Sequence, residues 1–154
     1  MLTRFQRMML RGWARNMVVA FRIPGWQASG FDYTRAEQAR LRAIAADLSG
    51  AAFAVWFLLT AVMFFAAMMP LLWLLLAPPQ PKFVLALPAI ILAALIVLPL
   101  ALGVASGITD RVFRVPPFVE AAGDDDLYAK VCSQLIMVAA VAIVAAALIG
   151  WRIG

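Results

Sequence analysis

The sequence predicts an all-α integral membrane protein with three transmembrane helices, and three observations carry that reading. Of its 154 residues, 66% are hydrophobic, against about 45–50% in a soluble domain. The excess falls into three blocks and is not spread along the chain. No Asp, Glu, Lys or Arg occurs from Ala51 to Ala77, from Phe83 to Ile108, or from Val131 to Trp151. Each block reaches the roughly 20 residues that a helix needs to cross a hydrocarbon layer of about 30 Å. The chain divides accordingly into an amphipathic cytoplasmic or interfacial region (1–50), a transmembrane helical hairpin (51–109), a cytoplasmic loop (110–130), and a third span with a short tail (131–154).

The first predicted helix covers about residues 3 to 21. Arg4, Arg7, Arg11 and Arg15 recur at three- and four-residue spacing and make one basic stripe. Leu2, Phe5, Met9, Trp13 and Met17 follow a similar spacing on another face. A helix basic on one side and aromatic-apolar on the other lies flat on a lipid surface, its arginine stems snorkelling. Arg4, Arg7, Arg11, Arg15, Trp13 and Trp26 are therefore the expected membrane-surface contacts. The same face also suits docking on another subunit. Pro24-Gly25 ends the helix, and Gly30 loosens the connector, where Trp26, Phe31 and Tyr33 suit the headgroup zone.

Thr34-Arg35-Ala36-Glu37 has the pattern of a capping box, with Thr34 accepting from the Glu37 amide and Glu37 reaching back. It predicts a second helix over about Arg35 to Leu48, with Leu41, Ile44 and Leu48 on one face. So short a helix needs a partner surface: the first helix, the 110–130 loop, or another protein.

Ser49-Gly50 leads into the first span, with Pro70 near its far end. Pro78-Pro79-Gln80-Pro81-Lys82 imposes a sharp reversal, so the second span lies antiparallel beside the first. Pro88 and Pro99 fall inside that second span, where lipid-embedded helices tolerate proline. Gly103 and Gly107 form a GxxxG pair that lets another backbone approach closely. Thr60 and Ser106 are expected to bond back to their own helices. Asp124, Asp125 and Asp126 favour the start of the last helix. In the third span, Ala142, Ala146 and Gly150 form a small-residue ladder for helix packing.

Charge sets the expected orientation. Eight arginines precede the first span, and Arg111, Arg114 and Lys130 lie in the second loop. Only Lys82 and Arg152 fall on the opposite side. The positive-inside tendency puts the amino terminus in the cytoplasm and the carboxyl terminus in the periplasm of a bacterial inner membrane. The acid-free, arginine-rich start also fits a mitochondrial presequence, which is the weaker reading.

The chain has no histidine and one cysteine, Cys132. No internal disulfide, cysteine cluster or imidazole-based metal or haem site is available. Three consecutive aspartates lack the spacing of a calcium loop. The span interiors hold no ionisable group of the kind that marks transporters and pumps. No catalytic residue, cofactor or metal site is therefore expected, and nucleic acid is a poor partner for a chain this apolar. The expected function is a non-catalytic structural or assembly subunit of a respiratory, photosynthetic or secretion complex. Its partners are other integral membrane subunits and anionic lipids. The alternative is a homo-oligomeric, holin-like or channel-forming pore.

Overall fold

The computed structural model describes residues 1–46, 48–77 and 83–153, with backbone alone at residues 28, 29, 83 and 84. Asp47 and the Pro78–Lys82 reversal lie outside the described residues. Five α-helices follow in order: α1 (Arg4–Ala20), α2 (Arg35–Ala45), α3 (Gly50–Leu76), α4 (Phe83–Val112) and α5 (Asp124–Ile153). A single 3-10 turn (Trp26–Ser29) connects α1 to α2, and no strand occurs among the described residues. Three helices are long and apolar enough to cross a membrane: α3, the Leu85–Val112 portion of α4, and α5.

The α3 bounds follow the apolar block, because no charged side chain competes within it. The other two spans run on through charged residues. α4 continues past Ile108 through Asp110 and Arg111, and α5 begins at Asp124, among the aspartates expected at its start and ahead of the apolar span predicted from Val131. These extensions carry acids and bases beyond the apolar zone. Pro70, Pro88 and Pro99 all lie inside continuous helix.

α4 is the hub. It packs against α3, against α5 and, towards its C-terminal end, against α1. Among the described residues α3 and α5 share no comparable contact, so the three spans form an open row. Burial within them is sparse: only 11%, 17% and 6% of the most apolar stretches of α3, α4 and α5 are buried. Phe57, Phe65 and Trp73 of α3, and Met137, Val141 and Leu148 of α5, face outward. In water such faces would be costly. In lipid they lose nothing, because acyl chains are as apolar as leucine.

Ala146 and Gly150 are buried and Ala142 is half-buried, on the inward face of α5. Thr60 bonds back to the Trp56 carbonyl at 2.8 Å, as expected. Ser106 does not: its Oγ is buried without a hydrogen-bond partner, and Thr109 makes the equivalent bond to Ala105 at 2.7 Å.

The main buried cluster centres on α1 and α2 and on the span ends they cover. Leu10, Trp13, Ala14 and Met17 of α1 and Leu41, Ile44 and Ala45 of α2 are almost fully buried, joined by Trp56, Leu102, Ala105, Leu127 and Val131. Of the partner surfaces open to α2, the structure uses α1 and also the 110–130 segment, through Arg40 and Glu37. The helix stops at Ala45 because Ala46 turns left-handed (φ 48°), leaving Leu48 beyond its end.

The GxxxG pair meets α1, not another span. Met9 packs onto Gly103 and Met8 onto Gly107, while Gly12 of α1 lies against the α4 backbone. A Cβ at Gly12 would fall 2.5 Å from the Leu102 carbonyl carbon and 2.6 Å from the Gly103 nitrogen. Two backbones touch here, and only glycine permits it.

Candidate functional site

At the C-terminal end of α4 the amino-terminal region closes over the 110–130 segment as a clamp. It begins with a capping box that the sequence reading missed. The Thr3 Oγ1 accepts from the Gln6 amide (3.1 Å), and the Gln6 Oε1 accepts from the Thr3 amide (2.9 Å). Further along α1, Arg11 and Arg15 are four residues apart and so lie on one face.

Both converge on Asp110. Arg11 Nη1 donates to Asp110 Oδ2 at 3.0 Å, and Arg15 Nη2 donates to Asp110 Oδ1 at 2.6 Å. Their Nε groups donate to the last carbonyls of α2, Ile44 at 2.9 Å and Ala45 at 3.0 Å. Arg11 also donates to the Pro116 carbonyl at 3.0 Å. Two cations against one carboxylate are tolerable because α2 presents the negative end of its dipole to them. Burial still weakens the hold of Arg15 on its proton, with Asp110 working against that shift.

A second tie joins α2 to α5. Arg40 grips Asp124 in bidentate fashion, Nε to Oδ1 at 2.8 Å and Nη2 to Oδ2 at 2.6 Å. Nη2 also donates to the Val119 carbonyl at 2.8 Å. The hydrogen bond to Asp124 raises the Arg40 pKa above its ordinary value, despite some desolvation. Asp124 also accepts from the Ala121 amide at 2.9 Å, so this aspartate is fully occupied. The guanidinium groups of Arg11 and Arg40 both lie over the Phe118 ring, 5.7 and 5.9 Å from its centroid. Lys130 pairs with Glu37 at 2.7 Å. The terminal ammonium of Met1 meets Asp125 at 2.8 Å, and the Leu2 amide donates to Glu120 at 2.9 Å. The capping role expected of Thr34 holds, with the Glu37 amide donating to it at 3.2 Å. The reciprocal half does not form, because the Glu37 carboxylate faces Lys130 and the Thr34 hydroxyl instead.

The structure corrects half of the expected membrane-surface set. Arg11, Arg15 and Trp13 are at most 5% exposed and sit within protein, not among headgroups. The arginines are drawn inward by Asp110 and the α2 carbonyls. Trp13 donates to the Tyr33 hydroxyl at 3.1 Å and packs on Phe31 at 5.2 Å between ring centroids. Trp26 is half-buried, stacked on Tyr33 and edge-on to Phe21. Phe31 and Tyr33 belong to this same aromatic cluster and do not serve as free anchors. Arg4 and Arg7 remain exposed.

Tyr33 offers a direct test of that cluster. Burial pushes its pKa up to about 12, with the Trp13 hydrogen bond opposing. The ordinary value is 10.0. Stability from this group is therefore complete below pH 10 and is lost as pH rises through 12. Absorbance titration should show one tyrosine ionising only as the fold opens. Tyr33→Phe should remove that alkaline step and cost about 1–2 kcal/mol at neutral pH, because the Trp13 indole N–H loses its acceptor.

Among the described residues no nucleophile–base pair is assembled in the clamp. Among the described residues no group of three or more His, Cys, Asp or Glu side chains is placed to hold a metal ion. The chemistry on offer is electrostatic: arginines either locked in ion pairs or left free at the surface. Comparison with protein-family models, with curated proteins and with solved structures finds no match to this chain.

Proposed function

We propose that the protein is a non-catalytic structural or assembly subunit of a larger complex in a bacterial inner membrane. The observation carrying this reading is the contrast between the two ends of the fold. The clamp is held by ion pairs and a buried core, whereas among the described residues the spans form an open row. An open row presents long apolar faces on α3 and α5 to neighbouring helices. The basic residues of the clamp gather at one end of the spans. The positive-inside tendency puts that end in the cytoplasm and the carboxyl terminus in the periplasm. The proposed complex is a respiratory, photosynthetic or secretion assembly. The outward faces of α3 and α5 carry no polar stripe, which disfavours the homo-oligomeric pore.

Mild detergent extraction from the native host tests the proposal. The expected result is a particle far above the 16.7 kDa of the chain, holding other integral membrane proteins in fixed ratio. Deleting those partners should shorten the lifetime of the chain. A stable, monodisperse monomer would refute the subunit reading, and a particle built of this chain alone would favour the pore.

A further inference from the structure

A groove of about 860 Å³ runs between α1 and the end of α4. Arg4, Arg7, Arg111 and Arg114 line it beside the Arg11–Asp110 ion pair, and most of the remaining lining is apolar. The ion pairs of the clamp leave these four arginines out. All four are exposed, and among the described residues none has an ion-pair partner. The nearby acids already have partners: Asp110, itself in the groove lining, pairs with Arg11 and Arg15, Glu120 with the Leu2 amide, and Asp125 with Met1.

Helix electrostatics account for only part of this grouping. Arg111 suits the C-terminal end of α4. Arg4 and Arg7 do not suit the start of α1, which has no acid in its first turn and whose dipole disfavours cations. An anion held there would relieve both the helix end and the mutual repulsion of the arginines. Arg114 adds a second peculiarity. The Val115 amide bonds to the Asp110 carbonyl at 2.9 Å, closing α4 with a Schellman turn. Arg114 occupies its left-handed position (φ 53°), where glycine is the favoured residue.

The groove also opens onto the apolar part of α4. Leu100, Val104, Gly107 and Arg111 share one helix face by their spacing, and Leu100 and Val104 are exposed. A cationic head thus continues into an apolar track along a helix apolar enough to cross the membrane. We infer that the groove binds one anionic glycerophospholipid, its phosphate held by Arg4, Arg7, Arg111 and Arg114 and an acyl chain lying along Gly107, Val104 and Leu100. Basic pockets beside membrane helices on the cytoplasmic side take such headgroups. This inference stands apart from the subunit reading, because it needs only the chain and the bilayer.

The test is native mass spectrometry of the delipidated full chain in nonionic detergent. It is titrated with phosphatidylglycerol or phosphatidylcholine, and inorganic phosphate serves as competitor. One phosphatidylglycerol should be retained per chain, in strong preference to phosphatidylcholine and undisturbed by equimolar phosphate. The triple variant Arg4→Gln, Arg7→Gln, Arg111→Gln should weaken retention on the order of a hundredfold, at about fivefold per arginine. Arg114→Gly separates binding from folding: thermal stability should hold or rise, since the left-handed position now carries glycine, while retention falls about fivefold. The control pair Arg22→Gln, Arg35→Gln, exposed but outside the groove, should behave as wild type. Equal retention of both lipids, an equal loss in the control pair, an unaffected triple variant, or displacement by inorganic phosphate would each overturn the lipid site. Undiminished retention in Arg114→Gly would remove that residue from it.

Discussion

Replacing Asp110 with asparagine is expected to cost about 3–5 kcal/mol, the penalty for leaving buried charge without its partner. The side chains of Arg11 and Arg15 are only 6% and 3% exposed, and both lean on this one carboxylate. Asparagine keeps its shape and one acceptor oxygen but supplies no charge. The carbonyls of Ile44, Ala45 and Pro116 remain, yet they offer only partial negative charge to two full cations. The order of effects among variants distinguishes this account from simple loss of hydrogen bonds. Arg15→Met leaves one cation facing one anion, so it should cost less than Asp110→Asn. The triple replacement Arg11→Met, Arg15→Met, Asp110→Leu removes every buried charge and should come closer to wild type than Asp110→Asn does. Thermal unfolding in detergent, followed by near-ultraviolet circular dichroism of the Trp13 cluster, ranks the three. A loss under about 1 kcal/mol for Asp110→Asn, the range of an exposed ion pair, would show that the carboxylate does not tie α1 to α4.

How much of this was legible depended on whether the deciding partner lay near in sequence. The spans were legible because long blocks without charge permit little else, and the bounds of α3 agree within a residue. The outer end of α4 was missed for the opposite reason, and for α5 only the three aspartates hinted at a start ahead of the apolar block. Helix through Asp110 and Arg111, or from Asp124 to Lys130, is stabilised by Arg11, Arg15, Arg40 and Glu37, which are remote along the chain. The existence of α1 was legible, but its facing was not. An arginine stripe at helical spacing reads the same whether it meets phosphates or a distant aspartate. The stripe is in fact divided, with Arg4 and Arg7 outward and Arg11 and Arg15 inward. One local clue was present. Gly12 stands mid-helix between the two inward arginines, where it costs about 1 kcal/mol relative to alanine, and a glycine so placed signals a close packing neighbour. The GxxxG pattern carried the same ambiguity: its spacing announces a close helix crossing but does not name the partner.

Gly12→Ala should therefore destabilise the docking of α1 even though alanine is the better helix former. The gain in intrinsic helix stability is about 1 kcal/mol. Against it stands a Cβ placed 2.5–2.6 Å from three atoms of the Leu102–Gly103 backbone. No side-chain rotation relieves that overlap, so α1 must move bodily, and overpacking of this kind costs about 1–3 kcal/mol or more. Gly107→Ala provides the contrast. Its nearest neighbour is the Met8 sulfur at 2.8 Å, the end of a flexible side chain, so the cost should stay under about 1 kcal/mol. Hydrogen exchange should show faster exchange across α1 in Gly12→Ala and little change in Gly107→Ala, with total helix content held in both. The two large effects are linked through geometry. Once α1 is displaced from α4, Arg11 and Arg15 have already left Asp110, and little remains for Asp110→Asn to remove. Gly12→Ala combined with Asp110→Asn should thus cost less than the two single changes together, by about 1 kcal/mol or more. Strict additivity would mean that the glycine crossing and the buried arginines hold the clamp independently.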